Sequence, residues 1–392
     1  ISNNKEETMK DLYQDLLRYY RFMAGKIPNE EFFLDAVKET VSSEDLRVFF
    51  LLPFTGYILE RKLLQKAKRA GLSREEFHER AERLVQQGMI MRYTKPEGRA
   101  YERGNIVYMS EQQVRMKEDT PRRRAFAEFM DAVIEGNIDS VPNRTPYYRV
   151  LPVEAALDEA APQVEVKLDQ PVSDPRRALP LDIVSEMVKA EPLVAVAECY
   201  CRRARKIVGK DCGHPLETCL AFNELAETLL EAGLARRLDH VEALQILRDC
   251  EAAGLVHFVD NAEGCIRSLC NCCSCSCVLF SVIKRGGENA GGPSRFVIRY
   301  NGEYFPELAE CAQLCPTGAL SCNGKLSINH QKCIGCGLCA NRCRELGHAA
   351  VLRLVPRGKY PRIFKSNEAL WKHIALESVA GMIANRFKKK KK

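Results

Sequence analysis

Thiols are the residues of this chain whose types and spacing point most directly to chemistry. The segment from Cys333 to Cys343 reads CIGCGLCANRC, which spaces four cysteines as C-x2-C-x2-C-x3-C. Three thiolates at this spacing can surround one corner of a [4Fe-4S] cubane. Gly335 and Gly337 would let the backbone approach the cluster and point amides at its sulfides. A zinc knuckle or a chance grouping accounts less well for so long a match.

A second segment upstream completes this pattern. The residues from Cys315 to Leu320 read CPTGAL, the form that closes the first half of a two-cluster bacterial ferredoxin. Residues 296–356 therefore resemble a bacterial-type ferredoxin domain, a duplicated strand, helix and strand unit. In such domains the fourth cysteine of each motif ligates the other cluster. The resemblance thus implies one [4Fe-4S] cluster, with the ligands Cys315, Cys333, Cys336 and Cys339.

The other cluster site of such a domain is incomplete in this chain. Phe305 and Leu308 stand where the resemblance would place two cysteines, and Cys311 and Cys343 remain. Apolar side chains cannot bind iron, so we expect one cluster between residues 296 and 356. Cys311 and Cys343 are then expected to be unligated thiols or to form a mutual disulfide.

Nine more cysteines lie between residues 199 and 277, in two groups separated by segments with apolar helical stripes. Their number suffices for two further [4Fe-4S] clusters with one thiol left over. The simplest division gives the first four to one cluster and four of the last five to the other, although exchange between the groups is equally allowed. The nine candidates are Cys199, Cys201, Cys212, Cys219, Cys270, Cys272, Cys273, Cys275 and Cys277.

The surroundings of these thiols leave alternatives open. A buried anionic cluster favours nearby cations, yet the five basic residues after Cys201 fit a solvated helix face equally well. Zinc is the main rival metal, but its usual paired C-x2-C knuckles are absent from this region. Cys250 is expected in the core and His257 in the core or facing a partner, whereas Cys265 and Cys322 have no assigned role. The basic residues are Arg202, Arg203, Arg205, Lys206 and Lys210.

Apolar periodicity and capping signals predict the elements that position these groups. Residues 57–70 predict a helix, and Ser73 with Glu76 forms a capping box for the next one. Met89–Thr94 and Arg99–Met109 then predict a hairpin. Helix, turn, helix and hairpin together are typical of a winged helix.

The order of motifs also resembles a group of ferredoxin-type iron–sulfur proteins of anaerobic bacteria and archaea. The shared motifs are C-x-C-R at Cys199–Arg202, P-x-E-T-C at Pro215–Cys219, GLVH at Gly254–His257, C-N-C-C at Cys270–Cys273 and the run that ends at Cys343. The resemblance extends from the winged-helix pattern to about residue 356. It implies electron transfer and names no substrate.

The predicted fold class is multidomain, mainly α with α+β. Residues 1–135 form a helical lead-in and a winged-helix-like domain, and 136–190 a proline-rich connector with a helix. A helical cysteine-rich iron–sulfur domain follows at 191–290, with a flexible glycine joint at its end, residues 286–294. The ferredoxin-like domain occupies 296–356, and 357–392 is a C-terminal helix with an oligolysine tail.

Composition and charge indicate where the protein is located and whether it contacts a membrane. The chain has 392 residues and 18 cysteines, no secretory h-region and no apolar run of membrane-spanning length, which favours a soluble cytoplasmic protein with reduced thiols. Lys388–Lys392 account for five of the seven net positive charges. The preceding helix, about 366–387, either lies on the inner membrane surface through these lysines or packs on the protein, which we slightly prefer. Its apolar face would contain Leu370, Ile374, Val379, Ile383 and Phe387.

An electron-transfer subunit is the function that these features favour, rather than a stand-alone enzyme. There is no G-x-G-x-x-G and no P-loop, so neither a flavin nor a nucleotide is expected. The redox partner would be a flavoprotein, hydrogenase or dehydrogenase. A redox-sensing transcription regulator is the first alternative, but the helix at 73–87 has three arginines against four glutamates, so DNA binding is not expected. A catalytic subunit of heterodisulfide-reductase type is the second alternative. Cys272 and Cys273 are adjacent as in that family, but Ser274 follows where it has glycine.

Overall fold

The computed structural model describes residues 3–24, 27, 30–136, 144–157, 182–263, 266–287 and 290–389. These residues form a mixed α/β structure with helices and several sheets, which agrees with a multidomain α+β protein. The chain divides into two compact units, each discontinuous in sequence. The first unit contains Ile1–Val141, Ala197–Leu216 and Glu224–Arg237, and the second contains Pro142–Val196, Glu217–Asn223 and Leu238–Lys392.

The elements have the following bounds. The helices are α1 (Asn3–Ala24), α2 (Glu30–Lys38), α3 (Ser43–Leu51), α4 (Glu60–Arg69), α5 (Arg74–Gln86), α6 (Ile106–Arg115), α7 (Pro121–Glu135), α8 (Val184–Lys189), α9 (Tyr200–Ile207), α10 (Asn223–Glu231), α11 (His240–Ala252), α12 (Val278–Lys284), α13 (Leu308–Gln313), α14 (Leu338–Glu345) and α15 (Asn367–Lys389). The strands are β1 (Tyr57–Leu59), β2 (Ile90–Lys95), β3 (Gly98–Arg103), β4 (Tyr148–Leu151), β5 (Val194–Glu198), β6 (Glu217–Phe222), β7 (Ala235–Leu238), β8 (Val256–Asp260), β9 (Ser268–Cys272), β10 (Gly291–Gly292), β11 (Phe296–Tyr300), β12 (Leu320–Cys322), β13 (Leu326–Ile328) and β14 (Leu352–Pro356).

In the first unit, helices α4 and α5 precede the antiparallel hairpin β2–β3. The capping box predicted for α5 is present: the Ser73 hydroxyl accepts a hydrogen bond from the Glu76 backbone, and the Ser73 backbone donates to the Glu76 carboxylate. The aromatic side chains of Phe49, Phe77 and Tyr101 are fully buried in the core. This core is the apolar surface that holds the helices and the hairpin together.

Two predicted elements of this unit are wrong in part. The helix predicted over residues 57–70 begins at Glu60, because residues 57–59 form strand β1, which pairs with β3. The return strand predicted to reach Met109 ends at Arg103. Helix α6 begins soon after, since the Asn105 side chain accepts a hydrogen bond from the Tyr108 backbone and caps its N-terminus.

The second unit contains a sheet in which strands lie side by side in the order β10-β4-β8-β9-β6-β5. Strands β8 and β9 are antiparallel, and Val256 pairs with Cys272 while Phe258 pairs with Cys270. The prediction of a helical region at 191–290 is therefore incomplete, because strands alternate with helices there. Apolar and β-branched runs such as Val194–Ala197 fit a buried strand at least as well as a helix.

The rest of the second unit contains two small antiparallel sheets, β11–β14 and β12–β13, with helices α13 and α14. At the C-terminus, Leu370 and Ile374 of α15 are buried in one apolar cluster with Phe364, as expected of a packed helix. The side chains of Val379, Ile383 and Phe387 and the residues 390–392 lie outside the described part. Most of the proline-rich connector and Cys265 also lie outside it. Among the described helices, none is both long and apolar enough to cross a bilayer.

Candidate metal centres

Four predicted ligands of the ferredoxin-like segment line one cavity. The sulfur-bearing residues Cys315, Cys333, Cys336 and Cys339 line one partly open cavity. The last three are buried, and Cys315 is half-buried. Apolar side chains complete the wall: Ile298, Leu320, Ile334 and Leu354. The structure thus brings together the four thiols that the sequence assigned to one site.

Burial makes these thiols weak acids in the absence of a metal. Burial raises the pKa of Cys336 to about 12 and raises that of Cys339 well above its ordinary value. A thiol in apolar surroundings loses its proton readily only when a cation compensates the charge of the thiolate. A bound metal supplies that cation, so the cavity is chemically suited to a metal centre.

The backbone around the cavity is oriented to support thiolates. The Ala319 N–H lies 3.1 Å from the Cys315 sulfur and donates to it. The backbone N–H groups of Leu338 and Ala340 donate to the sulfurs of Cys336 and Cys339 and lower the pKa of each against the larger effect of burial. Hydrogen bonds to ligand sulfurs are a known means by which a protein tunes an iron–sulfur centre.

The backbone carbonyls of residues 333–336, in the same loop, accept hydrogen bonds from other segments. Arg357 donates to the Cys333 carbonyl over 2.5 Å, and the Val153 N–H donates to the Cys336 carbonyl over 2.8 Å. Between them, Ser294 donates its backbone N–H to the Ile334 carbonyl and its hydroxyl to the Gly335 carbonyl. Four successive carbonyls are thus satisfied by other segments of the second unit, which fixes the loop that carries the thiols.

Gly335 is required by the packing of this loop against strand β11. Its φ is +68°, and an added Cβ would lie 2.1 Å from the Phe296 carbonyl oxygen and 2.3 Å from the Ser294 hydroxyl. Such distances are too short for any side chain. The sequence predicted a close approach of glycine to the cluster, and the structure shows that at Gly335 the close approach is to β11.

The cysteine motifs do not indicate Arg357, Ser294 or Val153, because these residues lie outside them. Ser294 even belongs to the predicted flexible joint at 286–294. The described part of that joint is instead ordered: Gly291 and Gly292 form strand β10 beside β4, and Ser294 is buried. The prediction of flexibility is therefore wrong there, since tertiary hydrogen bonds override the local freedom of glycine.

The incomplete second site of the ferredoxin-like segment is filled by apolar side chains. Phe305 and Leu308 occupy the two positions where the resemblance would place cysteines, and both are buried. The Phe305 ring stacks on His348 with 4.0 Å between the ring centroids. The sulfurs of Cys311 and Cys343 lie 2.8 Å apart, and neither residue is exposed to solvent. This site therefore presents a close pair of thiols and no space for four ligands.

The thiols at 270–277 also gather within the second unit. The sulfurs of Cys272 and Cys277 lie 2.9 Å apart. Hydrogen bonds with Cys270 and Cys277, together with burial, raise the pKa of Cys272 well above its ordinary value. Cys270 and Cys272 share a face of β9 because side chains alternate along a strand. Of the other two candidates, Cys273 is buried and Cys275 is exposed.

The thiols at 199–219 belong to different units. Cys199, Cys201 and Cys212 lie in the first unit, and Cys219 lies on β6 in the second. Cys199 occupies the N-cap position of α9, without a side-chain capping hydrogen bond, and Cys201 lies in the first turn. The positive end of a helix dipole stabilises a thiolate, so this placement suits the predicted role as ligands.

The five basic residues near these thiols are mostly engaged in ion pairs. Arg205 and Lys210 lie 2.6 and 2.7 Å from the Asp131 carboxylate. Lys206 pairs with Asp211, and Arg203 lies 3.3 Å from Glu198. Arg202 differs, because it is 1 % exposed. The structure thus favours the solvated-face interpretation for Lys206 and Lys210 only. Arg203 and Arg205 are half-buried in their ion pairs, and Arg202 is the buried cation of α9.

A further charged cluster joins the hairpin β2–β3 to helix α10 within the first unit. Arg92 pairs with Glu82 and lies 2.8 Å from Glu231, and Lys95 lies 2.6 Å from Glu224. The Thr94 hydroxyl donates to the Glu227 carboxylate. The glutamates of α10 therefore contact Arg92, Thr94 and Lys95 of the hairpin. The other basic residues differ, since Arg99 lies 3.7 Å from Glu60 and Arg103 donates to the Leu52 carbonyl.

Comparison with protein-family models, curated proteins and solved structures gives no match to this chain. What the molecule itself establishes is a cysteine-rich α/β protein with grouped thiols that could bind a metal.

Proposed function

We propose that this chain is an iron–sulfur electron-transfer protein, with one [4Fe-4S] cluster ligated by Cys315, Cys333, Cys336 and Cys339. In this proposal residues 296–356 act as a bacterial-type ferredoxin domain, and the thiols at 199–277 hold up to two further clusters. The observation that carries the proposal is that four thiols line one cavity and that three of their sulfurs accept backbone N–H groups.

The spacing of the sulfurs supports a polynuclear cluster over a single zinc ion. Zinc–sulfur bonds of about 2.3 Å place the sulfurs of a tetrahedral site about 3.8 Å apart. Among the described residues, no three of the four cavity thiols have sulfurs that all lie within 4.8 Å of one another. Four thiols this far apart can still face one cubane, which places an iron in front of each sulfur.

A bound cluster would supply one-electron chemistry, and the residues of the chain would set its conditions. The apolar wall limits water, and the backbone N–H groups at Cys315, Cys336 and Cys339 stabilise negative charge on the sulfurs. Arg357 adds a cation, since its guanidinium is close enough for Cys333 to raise its pKa against the effect of burial. Cys315 is the most exposed ligand, so we propose that a redox partner approaches from its side.

The charges of the first unit argue against the alternative of a transcription regulator. Arg92 and Lys95 of the hairpin already face glutamates of α10. Arg99 lies 3.7 Å from Glu60, and Arg83 of α5 pairs with Asp45 and Glu79. Phosphate binding depends on basic groups that are available to the nucleic acid. We therefore propose that the winged-helix-like segment contacts protein. The redox partner would be a flavoprotein, hydrogenase or dehydrogenase in the cytoplasm.

Anaerobic metal analysis with electron paramagnetic resonance (EPR) tests this function. We expect about four irons per chain if only the cavity is loaded and about twelve if three cubanes are present, with a signal that appears on reduction. Cys336→Ala should remove the signal of the cavity cluster, and Cys322→Ala, which changes a thiol outside the cavity, should keep it. Zinc in place of iron, or loss of the same signal in both variants, would contradict the proposal.

A further inference from the structure

The thiols of Cys311 and Cys343 form a pair that the proposed cluster does not use. Cys311 lies on α13 and Cys343 on α14, and their sulfurs are 2.8 Å apart. Both residues are 0 % exposed and belong to the same apolar core as Phe305 and Leu308. Among the described residues, no third metal-ligating side chain has its ligand atom within 4.8 Å of both sulfurs. The pair is therefore poorly suited to hold a metal, and two-electron thiol chemistry fits it better.

The geometry of the pair is close to that of a disulfide. The sulfurs need to approach by less than 1 Å to reach the bonding distance of about 2.05 Å. The two thiols also differ in acidity: the hydrogen bond from Cys343 and the nearby Arg342 guanidinium lower the pKa of Cys311, whereas the same hydrogen bond and burial raise that of Cys343. One sulfur is thus favoured as the thiolate, the reactive form in disulfide formation.

Each thiol of the pair lies four residues along the chain from a thiol of the cavity. Cys343 follows the ligand Cys339 by four residues on α14, one helical turn away, and the charge of Cys339 contributes to the raised pKa of Cys343. Cys311 precedes the ligand Cys315 by four residues. Large thiol reagents cannot reach two unexposed sulfurs, whereas electrons can pass through the protein over one helical turn.

We propose that Cys311 and Cys343 are a second redox couple, which exchanges electrons with the cluster in the neighbouring cavity. This inference rests on the proposed function. On reduction, the S–S bond breaks and two electrons with two protons convert the sulfurs to thiols. The cluster delivers the electrons singly and is oxidised once for each. On oxidation, the S–S bond forms, two protons leave to solvent, and the electrons return through the cluster to the partner oxidoreductase.

Coulometric titration of the anaerobically purified full chain tests the inference. The oxidised wild type should take up two electrons more per chain than Cys311→Ala, because a disulfide is a two-electron couple. The matched variant Cys322→Ala should titrate like the wild type. Equal uptake by wild type and Cys311→Ala, with the EPR signal of the cluster intact in both, would overturn the inference and leave the proposed function standing. A wild type without any cluster signal would instead contradict the proposed function.

A second measurement covers the case in which Cys311→Ala fails to assemble a cluster. Wild-type protein is poised with ferricyanide or dithionite, denatured with an alkylating agent, and digested for mass spectrometry. The peptides that contain Cys311 and Cys343 should be disulfide-linked in the oxidised sample and alkylated in the reduced one. The same state in both samples would overturn the inference.

Discussion

Replacing Gly335 by alanine tests whether the thiol-bearing loop depends on its contact with strand β11. Gly335 has a φ of +68°, and its added Cβ would lie 2.1 Å from the Phe296 carbonyl oxygen. Because that oxygen belongs to a backbone paired with β14, a rotamer change cannot relieve the clash. Either the loop or the strand must move, and both line the four-thiol site.

The expected loss of stability can be worked from the contacts. An alanine at positive φ costs about 1 kcal/mol relative to glycine. Moving the loop away from β11 also breaks the 2.7 Å hydrogen bond from the Ser294 hydroxyl to the Gly335 carbonyl and the 2.5 Å bond from Arg357 to the Cys333 carbonyl. Each is worth about 1 kcal/mol. We therefore expect the free energy of unfolding to fall by about 3 kcal/mol.

Gly324→Ala is the matched control, since Gly324 has a φ of +73° and nothing within 4 Å of its added Cβ. It should lose only the conformational contribution of about 1 kcal/mol. Urea denaturation of both metal-free variants gives the two free energies, and iron content after anaerobic reconstitution shows whether the loop still assembles a cluster. Equal stability and equal iron content in the two variants would refute the packing argument.

Three further results follow from charged groups. Burial alone would raise the pKa of Asp45, but the hydrogen bond from Arg83 holds it below its ordinary value. The ionised Asp45 carboxylate therefore contributes fully to the free energy of unfolding above about pH 4, and this contribution is lost as the pH falls through the folded pKa. Asp45→Asn should lower the melting temperature at pH 7, and the melting temperature of the variant should fall less steeply toward pH 3 than that of the wild type. Glu231→Gln removes a partly exposed pair with Arg92 and should cost about 0.5 kcal/mol in urea denaturation, less at high salt; a salt-independent loss would contradict the ion-pair interpretation. Arg357→Met removes a cation that should stabilise a reduced cluster by about 1 kcal/mol. An EPR potentiometric titration should therefore show a cluster midpoint potential lower by about 50 mV. An unchanged midpoint potential would exclude this role of Arg357.

Local signals in the sequence predicted the elements that depend only on near neighbours. Ser73 and Glu76 specify a helix start through their own hydrogen bonds, and the turn between Lys95 and Gly98 closes the predicted hairpin. The errors arise where distant partners decide. Residues 57–59 become a strand because β3 offers an edge to pair with, which no pattern within the helix-like stretch could reveal.

The resemblance to a bacterial-type ferredoxin indicated which four thiols would line one cavity, because two short cysteine motifs carry that resemblance. It could not identify the groups that hold those motifs in place. Arg357, Ser294 and Val153 come from three separate segments, and each acts through a hydrogen bond to a backbone carbonyl of the loop. Every residue has a backbone carbonyl, so a side chain that binds one cannot be recognised from residue types or spacing in the sequence.

The failures of local prediction themselves point to the site. Glycine-rich segments are ordinarily free to move, yet Gly291, Gly292 and Ser294 are fixed between β4 and the loop of Cys333 and Cys336. A chain keeps a locally unfavourable arrangement only where other contacts determine it, and such places are often functional sites. Here the determining contacts converge on the carbonyls of the thiol-bearing loop. The order of the glycine segment is thus an argument for the four-thiol centre that does not depend on the cysteine motifs.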